Sequence, residues 1–345
     1  MMMKKFLSAA LILCMPLSMT VSAQTAGNQE DGDAVQEVII YHTNDTHGYL
    51  NGDGEEIVGI ALAAGLKEST PNSILVDAGD ATQGLPLASL TKGADVIELM
   101  NLAGYDLMTP GNHEFDFGTE TFLSNAQKAD FPVLAANIYR NGSPLLKDVQ
   151  EDSSGCHAVL EQNGVRIGFF GLTTADTASS TNPAGIKDLE FRDEIETAKT
   201  EINHLKEEGA DVIVAMCHMG NMDASCTSAD LADAMTGEYQ DKIDIIIDGH
   251  SHTVENEETN GILSVQTGSG MAGIGKLTLE VRGDEVSASE ELLGPADLAD
   301  IVPDAAVAER LKQIESSQSD LLGETVGTTE TTLWAGQVGV VALTR

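Results

Sequence analysis

Strand-like apolar runs in this chain end repeatedly in short segments built from His, Asp, Asn and Gly. Thr43-Asn44-Asp45-Thr46-His47-Gly48, Gly111-Asn112-His113-Glu114-Phe115-Asp116, Cys217-His218-Met219-Gly220 and Gly249-His250-Ser251-His252 hold five of the eight histidines; Asp77-Ala78-Gly79-Asp80 is a His-free companion. Neutral imidazole and carboxylate hold divalent transition metals, and a carboxylate with histidines on both sides is what a two-metal hydrolytic site requires. Open α/β sheets place their sites just beyond the C-terminal ends of strands, where most of these segments fall. The pattern constrains fold and chemistry together: a strand-helix protein with a binuclear centre at its strand ends. Asp45 and His47 are two apart, as are His250 and His252. Extended backbone would turn each pair to one side. Gly48, Gly79, Gly111 and Gly249 would let the loops turn tightly.

Periodicity elsewhere agrees. Residues 38–41, 73–76, 133–136, 166–170, 212–216 and 243–247 read as short buried strands bounded by Gly, Asp or Asn. Residues 57–68, 94–102, 119–129, 193–208 and 229–236 have helical spacing. Such alternation implies an α/β architecture with its strands covered on their faces. Residues 262–265 and 277–281 look like later, antiparallel strands.

Lys4 and Lys5 precede an apolar run over 6–19, and Val21-Ser22-Ala23 is a small-residue cleavage site, so 1–23 reads as an export signal. Residues 24–35 read as a flexible acidic leader. No later run reaches membrane-spanning length. The formal net charge of -37, from 55 acidic and 18 basic residues, disfavours attraction to polymeric nucleic acid or anionic membranes. A small anionic substrate would still be drawn in by cations in the cleft. Of the three cysteines beyond the signal, Cys217 reads as a small core residue. The pairing of Cys156, Cys217 and Cys226 stays open, as do oligomeric state and metal identity. His42, His157 and His204 lack a ligand-like context and read as structural.

The five segments resemble the calcineurin-like metallophosphoesterases. Thr-Asn-Asp-Thr-His-Gly, Asp-Ala-Gly-Asp and Gly-Asn-His-Glu-Phe-Asp are similar to the forms in the exported 5′-nucleotidase and 2′,3′-cyclic-nucleotide phosphodiesterase branch, and Gln83 agrees with that branch. The resemblance runs from about Val38 to Val281 and implies an α/β/β/α sandwich over 36–300. It further implies that Asp45, His47, Asp80 and His252 hold one divalent ion (Zn, Mn, Fe or Co) and that Asp80, Asn112, His218 and His250 hold a second, with Asp80 bridging. A hydroxide formed at the metals would attack phosphorus. His113 would stabilise the transition state or protonate the leaving oxygen, and Asp116 would orient it, unless Asp116 caps the helix that follows. Asp77 reads as a loop-closing residue.

The expected activity is exported hydrolysis of nucleotide phosphomonoesters. Alternatives are a generic or 2′,3′-cyclic-nucleotide phosphodiesterase without base selectivity, and a non-catalytic exported metal-binding or surface protein. Residues 301–345 read as a linker helix and the entry to a further C-terminal domain, which in the resembling branch supplies base-stacking aromatics; here Trp334 sits in the tail and Arg345 would open that domain's first motif.

Overall fold

The computed structural model describes residues 34–150, 154–222, 224–240, 242–325, 327, 333–336 and 339–342. The expected signal segment, most of the acidic leader and Arg345 lie outside the described residues. The fold is that of the compact unit Val35–Arg345. Among the described residues no helix is long and apolar enough to cross a membrane.

Eleven strands build two sheets: β1 Gln36–Thr43, β2 Ile74–Asp77, β3 Leu107–Met108, β4 His157–Gln162, β5 Val165–Thr173, β6 Val212–His218, β7 Ile245–Ile247, β8 Val254–Thr259, β9 Ile262–Thr267, β10 Ile274–Arg282 and β11 Glu285–Leu293. The first sheet has the order β11-β10-β1-β2-β3 and the second β8-β9-β7-β6-β5-β4. Parallel pairs form the centre of each, β1 with β2 and β3, and β5 with β6, β7 and β9. Antiparallel β10–β11, β8 and β4 finish the edges.

Alternation along each strand shows how the layers stack. Val38, Ile40, Ile74 and Val76 of the first sheet share one buried cluster with Ile167, Phe169, Val212, Val214, Met216, Ile245 and Ile247 of the second. The intervening residues face outward. Tyr41 and Leu75 pack under helices α1 Ile60–Ser69, α2 Ala94–Ala103, α3 Thr119–Lys128 and α6 Ala305–Leu322. Phe170, Leu172, Ile213, Ala215, Cys217 and Ile246 pack under α4 Glu194–Glu207 and α5 Ser228–Ala234. Sheets buried on both faces need apolar residues at both parities, hence the near-continuous Val and Ile runs. The result is the expected α/β/β/α sandwich.

Several expectations need correction. Residues 133–136 form no strand; Val133 makes one parallel bridge to Met108, after which Ala135 and Ala136 bond to Gly155 and Gly171. Ile262–Thr267 is antiparallel only to β8 and lies parallel to β7. The edge strands β4, β8 and β11 went unread: β4 shows no alternation in burial, and in β8 and β11 acidic residues mask it, although in β11 Val286 and Ala288 still turn inward. The linker helix occupies Ala305–Leu322 of the expected 301–345 segment. Cys156, Cys217 and Cys226 are all free thiols, and Cys217 lies in the core.

Candidate active site

Thr43, Asp77, Met108 and His218 end β1, β2, β3 and β6, so the loops after them crowd together at one rim of the sandwich. Parity carries His218 there: it continues the inward series Val212, Val214, Met216 and is fully buried. Every other imidazole or carboxylate in the cluster comes from a loop in left-handed backbone. Asp45, His47, Asp80, His250 and His252 have φ between 47° and 78°. Such conformations cost about 1–3 kcal/mol each outside glycine and gather where a side chain must be aimed. Extended backbone therefore does not aim the paired ligands, contrary to expectation. Asp45 and His47 do meet, but His250 and His252 diverge into separate groups.

Two clusters result. Donor atoms of Asp45, His47 and His252 lie within 4.8 Å of one another, and so do those of Asp80, His218 and His250. Asp80 lies between them: its Oδ2 is 3.1 Å from His218 Nε2 and 3.9 Å from His47 Nε2. Asp45 Oδ1 is 3.3 Å from His252 Nε2 and 4.0 Å from His218 Nε2. His47 Nε2 and His252 Nε2 face each other at 3.0 Å, a contact in which two lone pairs meet unless a proton or cation intervenes. Asp45 Oδ1, Asn112 Oδ1 and His218 Nε2 are buried without a hydrogen-bond partner. Orphaned buried polar atoms are costly, and these are the donor types of divalent transition metals. The residues fit two such ions.

Hydrogen bonds behind the donors set their tautomers. His218 Nδ1 donates to the Ala78 carbonyl at 2.7 Å and His47 Nδ1 to that of Gln83 at 3.1 Å, which leaves both Nε2 lone pairs facing the cluster. Burial, with His218 nearby, lowers the His250 pKa and keeps that ring neutral. His113 belongs to neither group. Its Nδ1 meets Asp116 Oδ2 at 2.8 Å, and Thr181 Oγ1 donates to the other Asp116 oxygen at 2.6 Å. Burial opposes charge on His113, but the bond to Asp116 and the carboxylates of Asp80, Asp116 and Glu114 prevail and raise it to about 9. Asp116 lies outside the N-cap of α3, which is Gly118.

Three carboxylates organise the loops. Glu114 accepts the backbone N–H groups of Asp80, Ala81, Thr82 and Gly111, tying two site loops together. Asp248 takes those of Met219, Gly220 and Gly249. Asp77 accepts from Thr43 Oγ1 and the Gly79 N–H, and burial pushes it up to about 8. Glu114, Asp248 and Thr181 escaped the sequence reading. Glu114 stands inside a recognised segment, so its position was a usable signal; nothing near Thr181 marks it. Gly111 is obligatory, since a Cβ there would lie 2.2 Å from Asp80 Oδ1 and 2.6 Å from His218 Nε2. His42, read as structural, is buried against Glu290 of β11, with Nε2 3.0 Å from Oε1.

The calcineurin-like phosphoesterase family model matches residues 39–254. The Endonuclease YhcR of Bacillus subtilis (strain 168) is 32% identical, covering 88% of this chain and 27% of the relative. The 5'-nucleotidase of Vibrio cholerae serotype O1 is 33% identical, over 72% of this chain and 45% of its own length. A crystal structure of the 5'-nucleotidase precursor from Thermus thermophilus superposes with a TM-score of 0.69 at 24% identity, covering 87% of this chain and 62% of that one. This chain thus spans less than two thirds of these proteins. It belongs to the calcineurin-like phosphoesterase family, whose members are metal-dependent phosphoester hydrolases.

Proposed function

We propose that this chain is the catalytic part of an exported phosphoesterase that hydrolyses nucleotide phosphomonoesters with two divalent ions. Asp45, His47, Asp80 and His252 would hold one ion and Asp80, Asn112, His218 and His250 the other. The observation that carries this reading is Asp80 standing between two imidazole-carboxylate groups, with unpartnered buried donors around it. Bound there, two ions would supply Lewis acidity to the phosphoryl oxygens and a lowered pKa to water. The chain's own residues do the rest. His113, charged at neutral pH, hydrogen-bonds developing charge on the phosphoryl group or donates its Nε2 proton to the leaving oxygen. Asp116 holds its Nδ1–H, and Thr181 holds Asp116.

The Vibrio cholerae relative supports phosphomonoesters, and Lys4 and Lys5 followed by an apolar run and Val21-Ser22-Ala23 support export. A phosphodiester substrate is the second reading, favoured by the name of the Bacillus subtilis endonuclease. Assay of the metal-loaded chain with AMP, a 2′,3′-cyclic nucleotide and p-nitrophenyl phosphate separates them. Selective AMP hydrolysis supports the proposal, and preference for the cyclic diester supports the second. Asp80→Asn and His218→Ala should each abolish turnover with the fold intact by circular dichroism. Full activity in either variant refutes the site.

A further inference from the structure

Two histidines set aside in the sequence meet on the outer side of the second sheet. His157 opens edge strand β4; His204 lies on α4, which packs over that sheet. Between them stands Glu201, whose side chain is 7% exposed although it is ionisable. Its Oε2 is 2.5 Å from His157 Nδ1 and its Oε1 3.5 Å from His204 Nδ1. One nitrogen of each ring and one carboxylate oxygen lie within 4.8 Å of one another.

We propose that His157, Glu201 and His204 form a further metal site, separate from the catalytic centre, that takes a Zn2+-class ion and fastens α4 to edge strand β4. Glu-x-x-His spacing on a helix puts a carboxylate and an imidazole on one face, where both reach a single ion. Glu208, at the end of the same helix, supplies an independent observation: its Oε1 is 3.2 Å from His157 Nε2. That is where a carboxylate sits when it accepts the N–H of a metal-bound imidazole and turns the opposite lone pair to the ion. A simple ion pair would need one histidine; here two converge on one nearly buried carboxylate while a second carboxylate takes the spare N–H. Tetrahedral zinc with bonds near 2.1 Å separates donors by about 3.4 Å. One atom from each of the three side chains already lies within 4.8 Å of the other two, so side-chain rotations would admit the ion. Mixed nitrogen and oxygen donors suit zinc or cobalt above magnesium or calcium. None of the four residues belongs to the catalytic cluster.

The test strips the full chain with a chelator, titrates it with Zn2+, and counts tightly bound metal after gel filtration. Wild type should bind three equivalents, and His157→Ala/His204→Ala one fewer, with p-nitrophenyl phosphate turnover unchanged. The wild-type melting temperature should rise with the last equivalent, a rise missing in the variant. Glu201→Gln, close in shape, gives the same loss should the double variant fold poorly. In an Asp80→Asn/His218→Ala background the site should still take its ion and lose it on adding the two alanines, so failure of the catalytic assignment would not be mistaken for failure here. Equal zinc counts in wild type, His157→Ala/His204→Ala and Glu201→Gln would overturn the proposal.

Discussion

At the scale of single residues, the site depends on where protons and lone pairs point. The His113 proton is present below a pKa of about 9 and lost as the pH rises through it. Turnover should therefore fall on the alkaline side, and Asp116→Asn, which removes the main cause of the raised value, should move that fall to lower pH. A pH profile unchanged in Asp116→Asn would remove His113 as the proton donor. His113→Ala should lower turnover about 10²–10⁴-fold while two metals remain bound at the catalytic centre. Gly111→Ala tests placement without touching a donor. Its methyl would displace Asp80 and His218, and misplacement of about 1 Å costs on the order of 10²-fold. Near-normal kinetics in this variant would show the rim to be more pliable than its packing.

Among elements, short helices position the loops they follow. The His218 loop leads into α5, where the Ser228 N–H donates to the Gly220 carbonyl at 3.0 Å. Thr227 caps α5 in a reciprocal box with Asp230. Thr227→Ala should cost about 1 kcal/mol, read as a lower denaturation midpoint with an unchanged slope. Loss of amide protection would then begin around Gly220. Protection lost first in β1 instead would mean that α5 does not anchor this loop.

For the whole molecule, charge sets the approach of substrate. A net charge of -37 repels a phosphate dianion at long range, and salt screens that repulsion over roughly 8 Å at physiological strength. The KM for AMP should fall as salt rises from low values, with kcat little changed; a KM that climbs with salt would show that local cations govern encounter. Strand-helix alternation and each imidazole and carboxylate now found in the two donor clusters were legible in the chain, because periodicity and donor chemistry are local properties; the sandwich itself came from the family resemblance. Acidic edge strands hid because charge obscured their alternation. Which donors would share an ion was not legible from spacing and came only from the family resemblance: His250 and His252, two residues apart, face different groups, while Asp45 meets His252 from the far end of the fold's chain order. Left-handed turns and the order of strands in the sheets decide such meetings. The same holds for Glu114 gathering two loops, Thr181 steadying Asp116, and His157 finding Glu201 on a helix 44 residues on. Side-chain identity says what a residue can bind; only the packed sheets bring distant donors within reach of one another.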